Sequence, residues 1–351
     1  MNENNSYSHH HLSYRVKRTI RNHKGLIPIA LLIFAVLIGL AAWFVYSQNQ
    51  QAQMQLSSQH QVNVGSGYRD ITYQGQQYRY NNRITTILFS GVDSNDPLVQ
   101  TARFTIAPRA DSISLIVLDE YHHRMTLIAL NRDTMTKIRR YTLNGRNRGL
   151  FTDHLGYAYT YGDGGAVSCN NLCEAVSQLL YSIPVNEYIV INRMTLPMLA
   201  NVIGPVNVTV PNNDLFVLDS AFAAGKQVII DAANLEFFVR SRDTAEDLSN
   251  VGRMERQQAY INAAIDQIQN VFETNPSEMW NVVENAKKSL LTNITRSRYL
   301  DLLRVLKNTA YTKYDYYTPA GNQVVGAEHD EFYPDEAALL SKVIDIFYIK
   351  Q

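Results

Sequence analysis

The 351-residue chain has little cysteine, two residues only, and it has no net charge: 32 Lys and Arg balance 32 Asp and Glu. Two cysteines rule out a disulfide-stapled scaffold, and with no histidine pair nearby they make no zinc site. Charged residues are only 18% of the chain, so the basic excess of a nucleic-acid coat protein is missing and no nucleic-acid partner is expected. Internal repeats are absent. Long apolar runs are scarce too, and the single exception sets the topology. The cysteines themselves, Cys169 and Cys173 in "SCNNLCEAVSQLL", stand four apart. Outside a membrane a disulfide is permitted, but this spacing on a helix strains its geometry. Two half-buried residues on one helix face is the other reading.

The exceptional run is Leu26 to Tyr46, "LIPIALLIFAVLIGLAAWFVY", without one charge. A helix of that length spans about 30 Å, one hydrocarbon core. Arg15, Lys17, Arg18, Arg21 and Lys24 precede it, whereas no Lys or Arg occurs from Ser47 to Tyr68. The positive-inside rule then leaves residues 1–25 in the cytoplasm as a basic tail and the rest outside the cell. A cleaved signal peptide is the competing interpretation, but its apolar region is normally shorter and ends in a small-x-small site. We expect an uncleaved, single-pass signal-anchor helix over 26–46 in the cell membrane. Residues 47–80 hold ten glutamines and few large aliphatics, a composition that suits an extracellular tether. One extracellular domain then covers 81–351.

Within that domain, the runs Ile84–Ser90, Ser112–Leu118 and Met125–Leu130 have β character and are too apolar for a sheet with one wet face. Asp119–Arg124 reads as a hairpin connection. Helical and strand patterns then alternate: a helix in "LCEAVSQLLYS", a strand at Glu187–Asn192, a helix in "RMTLPMLANVIG" and a strand in "PVNVTVP". Helices are expected at Arg253–Phe272, Pro276–Leu290, Ser297–Thr309 and Pro334–Phe347. The fold class is α/β, a mixed sheet sandwiched between helices and preceded by one N-terminal transmembrane helix.

Ligands of open α/β sheets gather beyond the strand ends, and the strand ends here are charged. Asp93 follows the first run, Arg109 and Asp111 precede the second, and Arg132 and Asp133 follow the third. The stretch "VRSRDTAEDLSNVGRMERQQAY" adds Arg240, Arg242, Arg253 and Gln257. Arginine's planar fork matches phosphate and keeps its charge at physiological pH. Aspartates beside phosphate would repel it unless a divalent cation sits between them, as Mg²⁺ does. The joint pattern therefore suggests a Mg²⁺-bound di- or polyphosphate. Taken singly, each aspartate adjoins Ser or Thr and could be a cap. Arg256 and Glu255 could decorate an exposed helix face.

The segments "ILFSGVDS", "RADSISLIVLDEYHHRMTLIALNRDT", "YAYTYGDG", "LEFFVRSR", "GRMERQQAYI" and "FYPDEAALLSKVIDIFY", in this order, resemble the LytR–CpsA–Psr (LCP) family from about Ile84 to Tyr348. The resemblance implies a Gram-positive cell-wall enzyme and the family's sandwich fold, with an apolar tunnel for a prenyl chain. Such an enzyme transfers a glycopolymer (teichoic acid, capsule or another wall polysaccharide) from undecaprenyl pyrophosphate to peptidoglycan. A phosphodiester to N-acetylmuramic acid forms and polyprenyl phosphate is released. Carried onto this chain, Asp93 and Asp111 would hold Mg²⁺ (or Mn²⁺), and one of them could serve as base. Arg109, Arg132, Arg240, Arg242 and Arg253 would grip the pyrophosphate, with Gln257 hydrogen-bonding to it. If "VRSR" is extended, Arg240 and Arg242 share one side of the chain; Arg253 and Gln257 share a helix face.

Two positions depart from the family pattern. Asn250 stands where aspartate is frequent, three residues before Arg253; either Asp243 or Asp247 takes over, or the role is dispensable in this branch. Asn131 stands where proline is frequent before Arg132. Other readings use the same residues: a non-catalytic polyprenyl-phosphate-binding scaffold or regulator, or a lipid pyrophosphatase with water as acceptor. A DNA-reading regulator does not fit, because 25 cytoplasmic residues hold no helix-turn-helix.

Overall fold

The computed structural model of the protein describes residues 70–242, 249–309, 313–326 and 329–351. The basic tail, the expected anchor helix and the tether up to residue 69 lie outside the described residues, as do Asp243 and Asp247. Among the described residues no helix is long and apolar enough to cross a membrane.

The domain begins earlier than composition suggests. Strands β1 (Asp70–Tyr73) and β2 (Gln76–Tyr80) form a hairpin whose two-residue turn, Gln74–Gly75, has positive φ at both positions. Residues 70–80 share the tether's composition, because three of its glutamines fall here. They order because Ile71 and Tyr80 are buried, with Tyr80 edge-on to Tyr348 at 5.8 Å.

The three apolar runs become β3 (Ile84–Val92), β4 (Ala110–Asp119) and β5 (Arg124–Leu130), an antiparallel meander. After it come the hairpin β6 (Met135–Tyr141) and β7 (Asn147–His154), the one-turn helix α1 (Tyr157–Thr160) and helix α2 (Ala166–Leu179). Next are β8 (Glu187–Ile191), α3 (Leu196–Ile203), the pair β9 (Val206–Thr209) and β10 (Gln227–Ile230), and α4 (Leu235–Arg240). The C-terminal part holds α5 (Asn250–Thr274), α6 (Pro276–Asn285), β11 (Leu290–Thr292), α7 (Arg296–Thr309), β12 (Lys313–Tyr317), β13 (Gly321–Val325), β14 (Asp330–Pro334), α8 (Glu336–Phe347) and β15 (Tyr348–Lys350). The helix expected to reach Leu290 stops at Asn285, because Leu290 instead pairs with Ile191 of β8. β15 returns to pair with β2, so both ends of the domain share one small sheet.

The main sheet has the order β11-β8-β3-β4-β5-β12 and is mixed, with β3–β8 and β5–β12 parallel. Both faces are covered, as the apolar runs require. On one face Ile87 and Leu118 pack with Ile294 and Leu302 of the α7 region, and Ile191 packs with Ala286 and Leu290. On the other, Leu88, Leu115 and Ile128 have no solvent exposure. Helix α2 packs against β8 and carries Cys169 and Cys173, both free thiols and both buried. The pair thus makes no disulfide, and burial pushes the Cys173 thiol up to about 12. A second core joins α3, α4, α5 and the β9–β10 pair around Val206, Ile230, Leu235, Phe238 and Ala264.

Phe238 sits in that second core with no exposure. Its replacement by Ala should cost about 3–5 kcal/mol, read as a lowered denaturant midpoint with an unchanged slope.

Candidate functional site

Distant segments deliver their charged residues to one end of the sheet. The β3–β4 register passes from Gly91↔Ser112 to Val92↔Ala110, which leaves Asp111 as the extra residue of a β-bulge. Such a bulge re-aims the side chain it carries. Asp93 follows β3 directly, its N–H bonded to the Arg109 carbonyl at 3.1 Å. Arg132 lies two residues beyond β5, Arg240 closes α4, and Arg253 falls in the first turn of α5. A cavity of about 430 Å³ lined by Arg79, Asn81, Arg83 and Tyr121 involves the opposite end of the sheet.

Asp111 is the hub. One carboxylate oxygen accepts a short hydrogen bond from Arg132 Nη1, with Arg109 Nε 3.8 Å away. The other oxygen faces Arg253 Nη1 at 3.3 Å and Arg240 Nη2 at 3.8 Å. Arg253 Nη2 also donates to the Asp111 carbonyl at 2.8 Å. Burial of Asp111 opposes its ionisation, but the charges of Arg253, Arg132 and Arg109 outweigh burial and hold the carboxyl below the ordinary carboxylate range.

The arginines repel one another as well. Burial, then the like charge of Arg132, pushes Arg253 down to about 9, which still leaves it protonated at neutral pH. Arg242 is lowered by burial first and Arg132 second, and its Nη1 donates to Ser249 Oγ at 2.6 Å. The buried Nε atoms of Arg132 and Arg253 make no hydrogen bond; that of Arg132 lies 3.3 Å from Asp133 without the alignment for one. Among the described residues five guanidiniums thus meet Asp93, Asp111, Asp133 and Glu236, an excess of positive charge with unspent donors. Such a cluster is chemically matched to a multiply charged anion.

The condition for "VRSR" to set Arg240 and Arg242 on one side, an extended chain, is not met: the segment is helical through Arg240. Glu236, one turn earlier, accepts from Arg240 at 3.1 Å, and buried Leu235 and Phe238 keep the turn closed. Ser241 then goes extended, and Arg240 reaches Asp93 in a short contact from the helix end. Gln257 stands beside the cluster, with Nε2 on the Val239 carbonyl at 3.0 Å and Oε1 accepting from Ser112 at 3.4 Å.

Sequence reasoning missed two supports. Arg256, considered for an exposed face, has no exposure at all. It donates to the carbonyls of Phe238 and Ser241, which bracket Arg240, and pairs with Asp214 at 2.8 Å. A Cβ on Gly252 would lie 1.8 Å from the Asp214 carboxylate, so a glycine there makes room for the pair. The second support joins the two departures from the family pattern. Asn250 Nδ2 donates to Asn131 Oδ1 at 2.8 Å and to Asp133 at 3.3 Å, while its Oδ1 accepts from Arg253 at 2.6 Å. Arg253 therefore has an acceptor inside its own helix.

The donor set also bears on a metal. Arg240 Nη2 contacts Asp93 and Asp111 together, so the two carboxylates converge. Among the described residues no group of three or more His, Cys, Asp or Glu could hold an ion. Two carboxylates fit Mg²⁺ only when phosphate oxygens and water complete its shell.

Two outcomes follow from this geometry. Because the folded-state pKa of Asp111 is lowered, its stabilising effect is present above the ordinary carboxylate pKa and lost as pH falls through the lowered one. Asp111→Asn should therefore be less stable than the parent at pH 7, with the gap closing on acidification below about pH 4; a gap independent of pH in thermal melts would refute the linkage. Arg256→Met should lose about 3 kcal/mol in denaturant unfolding, since it strands two buried carbonyls and Asp214. An unchanged midpoint would return Arg256 to a surface role.

The chain matches the model of the LytR_cpsA_psr family over residues 41–340. It is 24% identical over 231 residues to the polyisoprenyl-teichoic acid–peptidoglycan teichoic acid transferase TagU of Bacillus cereus, covering 66% of this chain and 69% of that one. In structure it is similar to B. subtilis TagV, with TM-score 0.54 and 21% identity over 75% of this chain and 96% of TagV. It is also similar to TagT bound to LIIa-WTA, with TM-score 0.56 and 17% identity over 76% and 90% of the two chains. These likenesses agree on a mixed α/β fold around a central mixed sheet, and the family match covers most of the chain: it belongs to the LytR_cpsA_psr family.

Proposed function

We propose that this protein is a membrane-anchored phosphotransferase that moves a glycopolymer from a polyprenyl pyrophosphate carrier onto peptidoglycan. The observation that carries this reading is the bulged, partly buried Asp111 with four arginines around it, drawn from separate segments. A single phosphate needs fewer cations; a pyrophosphate spreads its charge over more oxygens and matches the spread of forks. The curated relative's transferase activity toward teichoic acid and peptidoglycan supports the same class of reaction. In this reading residues 26–46 hold the chain in the cell membrane and the domain works outside, where lipid carrier and wall meet.

Phosphoryl transfer asks the protein for position and charge neutralisation rather than covalent chemistry. Arg132 and Arg253, locked by burial, would fix the pyrophosphate, while Arg109, Arg240 and Arg242 close around it. Asp93 and Asp111 would hold Mg²⁺ or Mn²⁺, which when bound neutralises phosphate charge. The acceptor hydroxyl oxygen forms a bond to the phosphorus bearing the polymer. The bond from that phosphorus to the bridging oxygen breaks, and polyprenyl phosphate leaves with the electron pair. Asp93, whose side chain is half exposed, is the carboxylate an entering hydroxyl can reach to give up its proton. Asp111, enclosed by its arginines, would serve their placement as well as the metal.

The test uses the full chain in lipid nanodiscs with a pyrophosphate-lipid-linked oligosaccharide, peptidoglycan fragments and Mg²⁺. Arg132→Lys keeps a cation against Asp111 but loses the fork, so adduct formation should fall at least ~100-fold with little change in melting temperature. Lipid phosphate without adduct would make the protein a pyrophosphatase. Tight lipid binding with no product from the parent chain would make it a scaffold.

A further inference from the structure

Arg109 leads out of the cluster as well as into it. Its guanidinium carbon lies 5.4 Å from the centre of the Tyr157 ring. Tyr157 is 6.1 Å from the Tyr161 ring, and Arg140 stands over Tyr161 at 5.0 Å and over Phe151 at 5.3 Å. The sequence Arg109, Tyr157, Tyr161, Arg140, Phe151 is therefore a continuous strip of guanidinium and ring surfaces, with the two tyrosines adjacent in its middle. It runs from the site across α1 and onto the β6–β7 hairpin.

The strip opens to solvent along its length. Both tyrosines are half-buried, the Arg140 side chain is 39% exposed and Phe151 is 40% exposed. It is also held in place. Asp153 accepts from Arg140 in a short contact and from the Tyr161 hydroxyl at 2.9 Å, so ring and guanidinium are fixed before anything binds. Fixed surfaces lose little entropy on association.

We infer that this strip binds the first sugars of the donor glycopolymer, the ones joined to the pyrophosphate; the inference rests on the function proposed above. The polymer is covalently attached to the group that Arg109 would grip, so its first rings must leave the site within reach of Arg109's neighbours. Tyrosine and phenylalanine faces accept the C–H faces of pyranose rings. Arg140, farther out, can pair with a phosphate or carboxylate carried by the polymer through the donors that Asp153 leaves free. Peptidoglycan has rings and carboxylates too, but it is not tethered to the pyrophosphate, and that continuity favours the donor.

Binding to the full chain in nanodiscs tests this with two synthetic ligands, a polyprenyl pyrophosphate and the same lipid bearing a short wall-polymer oligosaccharide. The parent should prefer the sugar-bearing lipid. Phe151→Ala and Arg140→Gln should each cut that preference roughly five- to tenfold and leave the bare lipid's affinity as it was. Phe151→Tyr should restore it. Absence of any preference in the parent, or equal loss for both lipids in Phe151→Ala, would overturn the inference. So would variants that weaken only the binding of soluble peptidoglycan fragments, because the strip would then belong to the acceptor. Arg132→Lys provides the separate check: if it weakens neither lipid, the pyrophosphate reading itself fails, whatever the strip does.

Discussion

One carboxylate, enclosed by arginines, sets the terms for the rest of the site. Five guanidiniums cannot be gathered at one end of a sheet without a counter-charge among them, and Asp111 supplies it from within. Its own burial is unfavourable and is offset by the arginines it organises. The dependence is mutual: without Asp111, Arg132 and Arg253 would face each other and Asp133 with too little negative charge to hold them. The bulge that turns Asp111 toward the cluster is therefore a structural requirement of the charge arrangement.

The fold holds this strained charge by placing it where movement is hardest. The sheet behind Asp111 is packed on both faces, and Arg132 follows directly from its third strand. Arg240 and Arg242 come from a segment that neither sheet nor long helix contains. Arg256 compensates by clamping the carbonyls on either side of Arg240 from inside the long helix α5. One helix thus contributes Arg253 to the cluster and Arg256 to the support beneath it, on adjacent turns. The cost is a fully buried guanidinium, bearable because its donors find carbonyl, amide and carboxylate partners.

The central strands and most of the helices were legible because their apolar runs and helical spacing are local signals. The charged strand ends were legible together, since few other roles bring Asp93, Arg109, Asp111 and Arg132 to the mouths of consecutive strands. What escaped depends on partners far along the chain. Gln76 to Tyr80 has the composition of a tether, yet it orders because β15, at the other end of the sequence, pairs with it. Arg256 looks like any surface arginine until Asp214 and the Phe238 carbonyl are brought to it. The helix through Arg240 was hidden because a segment of six residues carries too weak a periodicity to read.

Asn131 and Asn250 show why a departure from a family pattern need not be a loss. An aspartate at 250 would accept from Arg253 as the asparagine does, but it would add a negative charge beside Asp133 and leave no donor for it. The amide does both jobs without charge: its oxygen takes Arg253 and its nitrogen serves Asp133 and Asn131. Asn131 in turn caps the Asp133 N–H at 2.9 Å, a turn that proline could not make with its side chain. Exchanging a carboxylate for an amide here keeps the geometry around Arg253 and leaves the cluster one charge more positive, so an incoming pyrophosphate meets less repulsion from the protein's own acids.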